Sequence, residues 1–305
     1  MIFLGILCLF SGFKRRFMKL KTLLLVSFSA SLLFLVSCKK DDTTTGGDPI
    51  AAKTILNVSY GTDPLQKMDI YLPANRSVTS TKVIIMVHGG GWIQGDKSDF
   101  TTMVDTLKKR LPGYAIFNIN YRLAAWPANI FPTQELDVKA ATEFIYGNRS
   151  TYLVGDKFVM LGASAGGHLS LLQAYKYSSP VKVKAVVDFF GPTDMVAMYN
   201  DAPASQPAYM LLLSGTPASN PTMYSQSSPV NYITATTCPT IIIQGGADPL
   251  VNATTQSVAL KNKLTTASVV NEYVFYPAGG HGDWDAATYT DAFNKIQAFL
   301  TVNVP

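Results

Sequence analysis

The sequence predicts an α/β protein built on a mostly parallel sheet with an antiparallel hairpin at its start. From residue 83 to the C-terminus, nearly continuous apolar runs alternate with segments of helical spacing. Strands that are buried on both faces of a parallel sheet have this apolar character. Before residue 83, two segments instead alternate apolar and polar residues, as strands with one exposed face do. We therefore expect an eight-stranded sheet flanked by helices on both faces.

The predicted elements follow in chain order. The hairpin pairs residues 55–60 with residues 66–71 around the turn-forming sequence Gly61-Thr62-Asp63-Pro64. The remaining strands are expected at residues 83–87, 115–120, 158–161, 183–189, 240–243 and 272–276. Helices are expected between them at about residues 100–111, 133–148, 165–177, 254–264 and 286–300.

One interval interrupts this alternation. Residues 195–239 contain a single charged residue, Asp201, and many Pro, Ser, Thr and Tyr residues. Because a long excursion within a compact sheet is usually functional, we predict a small lid with a short helix at residues 207–214. The lid is expected to lie within one domain that spans residues 53–305.

The first 37 residues predict export. They carry five basic residues and no acidic one, and an apolar stretch at residues 23–36 precedes Cys38. This arrangement is typical of a secretory signal, for which Met18 is a second candidate start. Leu35-Val36-Ser37-Cys38 resembles a bacterial lipobox, which implies lipidation of Cys38 and, with Lys39 after it, anchoring to the outer membrane. An uncleaved anchor and a plain signal peptide are the alternatives.

The mature chain provides no electrostatic attraction to a nucleic acid. From Cys38 onward it carries 20 basic and 20 acidic residues, so the net charge of +5 resides in the leader. A neutral chain has no electrostatic basis for binding nucleic acid or anionic lipid, which leaves the lipid anchor as the expected membrane contact. Residues 38–52 are expected to form a solvated tether. Cys238 is the only cysteine after the tether, so no intrachain disulfide is expected.

The candidate nucleophile is Ser164, in the sequence Gly162-Ala163-Ser164-Ala165-Gly166. It follows one predicted strand directly and precedes a predicted helix. A serine on such a sharp turn is exposed at the carboxyl edge of the sheet, and its neighbours must be small. The helix N-terminus then faces developing negative charge.

A second glycine-rich segment predicts an oxyanion hole. His88-Gly89-Gly90-Gly91-Trp92 follows the predicted strand at residues 83–87 directly. We expect the amides of Gly90 and Gly91, joined by that of Ala165, to stabilise the oxyanion of an acyl-transfer reaction. The alternatives are a flexible loop or a phosphate-binding loop, although no Lys-Ser or Lys-Thr follows, as a P-loop requires.

The general base follows by elimination among three histidines. His88 belongs to the glycine-rich segment, where a structural role is expected. His168 lies four residues after Ser164 on the same predicted helix and is expected to be packed beside it. His281, on a glycine-rich loop after the last predicted strand, is therefore the predicted base.

The acid that orients this histidine is predicted to be Asp248. It follows the strand at residues 240–243 and completes the chain order Ser, Asp, His. Asp194, which follows the preceding strand, and Asp188 are alternatives. Asp283 is a further alternative, but it lies very near His281 along the chain.

Several ordered motifs carry a family resemblance. They are His88-Gly89-Gly90-Gly91-Trp92, Asn120-Tyr121-Arg122-Leu123, Phe131-Pro132, Asp137, residues 162–168, Gly191-Pro192-Thr193-Asp194, Ser228-Pro229-Val230, and the turns that hold Asp248 and His281. From about Asp69 onward the chain resembles α/β-hydrolase esterases of the hormone-sensitive-lipase-like and feruloyl/acetylxylan-esterase-like group. The resemblance implies an α/β-hydrolase fold, a triad of Ser164, Asp248 and His281, and hydrolysis through an acyl-enzyme. It implies no metal and no organic cofactor.

The expected function is therefore serine carboxylesterase activity on a small-molecule or oligosaccharide ester, such as acetyl or feruloyl groups on plant polysaccharide. Trp92, Trp126 and Trp284 are candidate sugar-stacking residues, and a place in the core is the alternative for each. An amide or peptide hydrolase such as an arylformamidase would use the same triad. A non-catalytic binding module is the remaining alternative.

Overall fold

The computed structural model describes residues 49–305, so the predicted leader and Cys38 lie outside the described residues. The strands are β1 (Lys53–Ser59), β2 (Lys67–Leu72), β3 (Lys82–Val87), β4 (Tyr114–Ile119), β5 (Phe158–Ala163), β6 (Ala185–Phe189), β7 (Thr240–Gly245) and β8 (Asn271–Tyr276). They form one sheet in the order β1-β2-β4-β3-β5-β6-β7-β8. The pairs β1–β2 and β2–β4 are antiparallel, and the other neighbours are parallel. The predicted eight-stranded, mostly parallel sheet is confirmed.

The helices surround this sheet. They are α1 (Thr101–Arg110), α2 (Thr133–Gly147), α3 (Arg149–Tyr152), α4 (Ala165–Lys176), α5 (Met195–Asp201), α6 (Gln206–Leu212), α7 (Pro221–Gln226), α8 (Ala259–Thr266) and α9 (Ala286–Asn303). A π-helical turn at Thr254–Val258 leads into α8, where a single helix was predicted. Within residues 49–305, no helix has the length and apolarity needed to cross a membrane.

The apolar runs in the central strands reflect burial on both faces of the sheet. In β3, Val83, Ile85 and Val87 belong to the core on one face of the sheet, to which α2, α4 and α8 also contribute. Ile84 and Met86 belong to the core on the other face, to which α1 and α9 also contribute. Because β5, β7 and β8 run parallel, the loops that follow them meet at one edge of the sheet.

Short helices fill the interval that was predicted as a lid. α5, α6 and α7 lie there, and α6 overlaps the short helix expected at residues 207–214. A 3-10 turn at Pro229–Tyr232 then leads back toward β7.

Candidate active site

Ser164 lies on a tight turn between β5 and α4. Its backbone adopts φ 55° and ψ −123°, a conformation that costs a non-glycine residue about 1–3 kcal/mol. A Cβ at Gly162 would lie 2.1 Å from the Gly166 carbonyl oxygen, and one at Gly166 would lie 1.9 Å from the carbonyl oxygen of Val87. The close backbone contacts therefore require the glycines on both sides of the serine.

The structure brings the three predicted triad residues together. Nε2 of His281 lies 2.9 Å from Oγ of Ser164, and Nδ1 of His281 lies 2.7 Å from Oδ2 of Asp248. The Ala247 amide donates to the Gly279 carbonyl at 2.9 Å, which joins the loop of the acid to the loop of the histidine. The Asp248 side chain is 1% exposed and that of His281 is 17% exposed. A continuous hydrogen-bonded path thus runs from a buried carboxylate to the serine hydroxyl.

Asp248 also accepts hydrogen bonds from groups other than His281. Its Oδ1 accepts hydrogen bonds from the amides of Leu250 and Val251 at 2.8 and 2.9 Å, and its Oδ2 also accepts one from Gln244 at 3.2 Å. Burial opposes ionisation, but the bonds from His281 and from the two amides outweigh it, so the pKa of Asp248 lies below its usual value. An ionised carboxylate fixes a proton on Nδ1 of His281 and leaves Nε2 free to accept one.

Gln244 supports Asp248, although no sequence motif marks it. It is fully buried at the end of β7, where its side-chain oxygen accepts a hydrogen bond from Ser257 at 2.7 Å. The only indication in the sequence was a polar residue at the end of an apolar strand. Gln244 contacts Asp248 because the loop after β7 folds back on the end of that strand.

The other candidate acids are placed elsewhere. Asp194 caps α5 by accepting hydrogen bonds from the amides of Val196 and Ala197. Asp188 is fully buried beneath the turn, accepts from the Gly191 amide at 3.1 Å, and has its pKa raised by burial to about 7. Both ring nitrogens of His281 are already engaged by Asp248 and Ser164. The geometry therefore selects Asp248 from the candidates.

The glycine-rich segment after β3 lies beside the serine. Gly90 and Gly91 line a cleft of about 460 Å³ together with Ser164 and His281. A Cβ at Gly89 would lie 3.3 Å from Cβ of Ser164, so this segment packs against the turn. Ala165 is the first residue of α4, where an amide has no partner within the helix.

The two remaining histidines are buried, which agrees with the structural role expected for His88 and with the packing expected for His168. His88 stacks on Tyr121 with ring centroids 4.3 Å apart, and burial lowers its pKa. His168, a residue of α4, is buried with its ring between Trp92 and the Ser227 carbonyl, and burial lowers its pKa to about 4. Within the part of the chain that the structure describes, no group of three or more His, Cys, Asp or Glu residues is placed to hold a metal ion.

The three tryptophans occupy different environments. Trp92 is 4% exposed and donates a hydrogen bond to His168, which favours the alternative of a place in the core. Trp126 is 61% exposed. Trp284 donates to the Gly280 carbonyl at 2.9 Å and lines a cavity beside His281.

Two cavities adjoin the cleft, and each shares lining residues with it. The aliphatic cavity, about 230 Å³, is lined by Ser164, Trp92, Met198, Tyr209, Leu212 and Val251 among others. The aromatic cavity, about 710 Å³, is lined by His281, Phe190, Trp284, Tyr289, Thr106 and Arg110 among others. Ser164 lines both the cleft and the aliphatic cavity, and His281 lines both the cleft and the aromatic cavity.

Comparison with known proteins identifies the fold and the family. Esterase LipC of Mycobacterium tuberculosis is 26% identical over 240 residues, which cover 74% of this chain and 59% of LipC. Probable carboxylic ester hydrolase LipM of the same organism is 29% identical over 213 residues, which cover 64% of this chain and 48% of LipM. The chain therefore spans only about half to three fifths of the length of these curated relatives.

A solved structure is similar along nearly all of its own length. A truncated form of a carbohydrate esterase from gut microbiota has a TM-score of 0.72 and 28% identity, and the match covers 84% of this chain and 98% of that one. The architecture is that of an α/β-hydrolase. The family match extends over residues 68–264, which includes Ser164 and Asp248 and ends before His281. Because this match covers more than half of the sequence, the chain belongs to the BD-FAE family.

Proposed function

We propose that the protein is a serine carboxylesterase that hydrolyses short-chain or aromatic acyl esters, including acetyl or feruloyl groups on plant polysaccharide. The hydrogen-bonded path from Asp248 through His281 to Ser164 is the observation that carries this proposal. The esterase names of LipC and LipM, and the carbohydrate esterase among the similar structures, support it.

Acylation begins with attack by Ser164. Its Oγ forms a bond to the ester carbonyl carbon while its proton passes to Nε2 of His281. When the tetrahedral intermediate collapses, the bond from carbon to the leaving oxygen breaks, and His281 returns the proton to that oxygen. The alcohol departs, and the acyl group remains on Ser164.

Deacylation repeats these steps with water. His281 takes a proton from water, the resulting hydroxide adds to the acyl carbon, and the bond to Oγ breaks. The proton on His281 returns to Oγ, and a carboxylic acid is released. Asp248 stabilises the imidazolium in both halves without accepting its proton.

The amides of Gly90, Gly91 and Ala165 are the proposed oxyanion donors. Each donor is worth about 3 kcal/mol of transition-state stabilisation in acyl-transfer enzymes. Support for this role comes from the position of Gly90 and Gly91 in the cleft with Ser164 and from that of Ala165 at the start of α4.

We also propose that the protein is exported and anchored through lipidated Cys38, with the interval at residues 195–239 acting as a lid. The basic and apolar leader that ends in Leu35-Val36-Ser37-Cys38 supports the anchor. Cells fed a radiolabelled fatty acid should label the wild-type protein, whereas Cys38→Ser should remain unlabelled. Equal labelling of both proteins would contradict the anchor.

The esterase proposal is tested with a panel of substrates and one blank. Wild-type protein and Ser164→Ala are assayed on 4-nitrophenyl acetate, methyl ferulate, acetylated xylan and N-formylkynurenine. We expect turnover of esters by the wild type and a loss of at least about 10⁴-fold in the variant. Ester turnover retained by Ser164→Ala would contradict the proposal, and a kcat/KM highest for N-formylkynurenine would indicate an amide hydrolase.

A further inference from the structure

We propose that the edge of the sheet opposite the cleft is a docking surface for an anionic membrane, so that the cleft faces away from the lipid. We call this surface the basic edge. It consists of Lys53, Lys82, Lys108, Lys157, Lys182 and Lys184. The inference goes beyond the proposed esterase activity and adds a second membrane contact to the proposed anchor at Cys38.

Basic residues are concentrated where the parallel strands begin. The segments that lead into β3 to β8, together with the first residue of each strand, carry five basic residues and one acidic residue, which are Arg76, Lys82, Lys157, Lys182 and Lys184 against Asp156. Lys182 and Lys184 are exposed, and neither takes part in an ion pair among the described residues. These two ammonium groups are therefore available to an external anion.

Acidic residues predominate where the same strands end. The loops that follow β3 to β8 carry six aspartates, which are Asp96, Asp99, Asp194, Asp248, Asp283 and Asp285. The two basic residues in these loops are both paired, since Lys97 lies 2.9 Å from Asp69 and Arg122 lies 2.6 Å from Asp137. The net charge of zero that the mature chain carries therefore conceals one basic and one acidic edge.

Distance keeps the charges of the two edges apart. A strand such as β3, with 6 residues, spans about 20 Å, whereas the Debye length at physiological ionic strength is about 8 Å. The acidic edge therefore does not cancel the attraction between the basic edge and an anionic surface. The acidic groups at the basic edge itself are fewer than the basic ones and comprise Asp105, Asp156, Glu272 and the C-terminal carboxylate of Pro305.

Four of the lysines form a row across the sheet. Lys53 begins β1, Lys82 begins β3, and Lys157 and Lys184 directly precede β5 and β6. The strand order places them across five strand intervals, which at about 4.8 Å each span roughly 24 Å. The amide of Lys184 donates to the Phe158 carbonyl at 2.7 Å, which keeps the segments before β5 and β6 at one level. Such a row presents several positive charges to a flat surface at once.

A cavity of about 380 Å³ lies at the β1 end of this row. Lys53 and Lys108 line it together with Thr54 and Tyr71. Nζ of Lys108 lies 5.5 Å from the centroid of the Tyr71 ring, and Lys53 forms no ion pair among the described residues. Lysine binds phosphate as a point charge, and tyrosine favours the boundary between lipid and water. The lining therefore suits the phosphate headgroup of a lipid.

The chain enters the fold at the same edge. The Asn75 amide donates to the Ile50 carbonyl at 2.8 Å, and the Arg76 guanidinium donates to the Ala51 carbonyl at 2.6 Å. The 15 residues from Cys38 to Lys53 reach at most about 50 Å when fully extended. An anchor at Cys38 would thus hold the basic edge near the membrane, where a weak attraction is sufficient because the effective concentration is high.

Vesicle binding without a lipid anchor tests the basic edge by itself. The mature chain from residue 38, which carries Cys38→Ser and contains the whole described fold, is mixed with vesicles of phosphatidylcholine alone or with about 30% phosphatidylglycerol. We expect binding to the anionic vesicles only. Raising NaCl from about 50 to about 300 mM should weaken this binding at least tenfold, because salt screens the attraction.

Neutralising three exposed lysines identifies the surface. Each lysine near an anionic membrane strengthens binding about fivefold, so combining Lys53→Gln, Lys182→Gln and Lys184→Gln should weaken vesicle binding at least tenfold. The matched control makes the same change in net charge outside the basic edge, with Lys67→Gln, Lys139→Gln and Lys295→Gln, and should change binding less than twofold. Circular dichroism should show the same melting temperature within a few degrees for both triple variants.

Orientation is tested on the lipidated wild-type protein, which its anchor holds on vesicles of either composition. A membrane-impermeant reagent acetylates lysines, and mass spectrometry measures the rate at each position. Acetylation of Lys182 and Lys184 should be at least threefold slower on anionic than on neutral vesicles, whereas Lys67, at the opposite edge, should react equally on both. Slower acetylation of Lys67 alone would overturn the proposed orientation.

The remaining outcomes separate the basic edge from the anchor and from other partners. Equal binding to both vesicle types, or equal weakening in the two triple variants, would overturn the docking surface. Binding of the lipid-free chain to heparin and not to anionic vesicles would overturn the membrane as its partner and indicate a soluble polyanion. Salt-dependent vesicle binding in a protein whose Cys38 carries no lipid would support the docking surface and contradict only the anchor.

Discussion

The indole nitrogen of Trp92 donates a hydrogen bond to Nδ1 of His168 at 3.2 Å, and Nε2 of the same histidine lies 2.7 Å from the Ser227 carbonyl oxygen. Because an indole N–H can only donate, Nδ1 must accept, and the ring proton resides on Nε2 and is donated to Ser227. One buried imidazole therefore connects the glycine-rich segment, α4 and the interval at residues 195–239.

His168→Ala should destabilise the fold and leave the chemistry largely intact. The change leaves the Trp92 N–H and the Ser227 carbonyl without this partner and opens a cavity, so the free energy of unfolding should fall by about 2–4 kcal/mol. Urea unfolding measures this loss. The kcat of the folded fraction should stay within tenfold of the wild type, whereas His281→Ala should lose at least about 10³-fold. Comparable kcat losses in both variants would show that His168 acts in the reaction.

Asp188 should make stability depend on pH. Burial raises its folded pKa to about 7 from an unfolded value near 3.9, so between about pH 4 and 7 the folded state holds this proton more tightly. The stability that protonated Asp188 contributes is therefore complete at pH 4 and is lost as pH rises through about 7. In Asp188→Asn this dependence is removed.

The free energy of unfolding of Asp188→Asn should therefore rise by a few kcal/mol relative to that of the wild type between pH 4 and pH 8. Thermal or urea unfolding across this range measures the difference. If the difference does not change with pH, Asp188 has the same pKa in the folded and the unfolded protein.

Substitution of two aspartates should distinguish the acid of the triad, Asp248, from the residue that caps α5, Asp194. Asp248→Asn should lower kcat about 10⁴-fold, because an amide cannot hold His281 in the required tautomer. Asp194→Asn should retain kcat and lose at most a few tenths of a kcal/mol, because asparagine also caps helices well. Steady-state kinetics on 4-nitrophenyl acetate compare the two variants, and the opposite ranking would transfer the role to Asp194.

Gly166→Ala should abolish folding or reduce stability severely. The added methyl group would lie 1.9 Å from the Val87 carbonyl oxygen, a backbone atom that cannot move without displacing β3. Gly113→Ala is the matched control, since a Cβ there meets nothing within 4 Å. Soluble yield and melting temperature of the two variants provide the comparison. A Gly166→Ala protein as stable as the control would show that the turn is not constrained in this way.

The sheet and the long helices were predictable because the residue patterns that specify them are contained in short stretches of the sequence. β3 and β7 are apolar because both faces are buried, and α4 and α9 carry helical spacing over several turns. The short helices α3, α5 and α7 span too few residues to show a period. They are stabilised by tertiary contacts, which the sequence does not display.

The site was predictable where a motif, the chain order of the triad or elimination among few candidates identified a residue. Ser164 has a motif, and His281 followed from elimination among three histidines. Gln244 supports Asp248 through a loop that folds back on β7, and Trp92 is buried by a partner on α4. The aromatic cavity combines α1, the end of β6 and α9, which are distant in the sequence. Such contacts depend on the assembled fold.

Covalent trapping can show directly whether Ser164 is the nucleophile. An aryl phosphonate ester reacts with an activated serine and stops at a stable adduct that intact-protein and peptide mass spectrometry can locate. We expect one adduct per chain on Ser164, formed much more slowly in His281→Ala and absent in Ser164→Ala. An adduct on another residue, or equal labelling of Ser164→Ala, would contradict it.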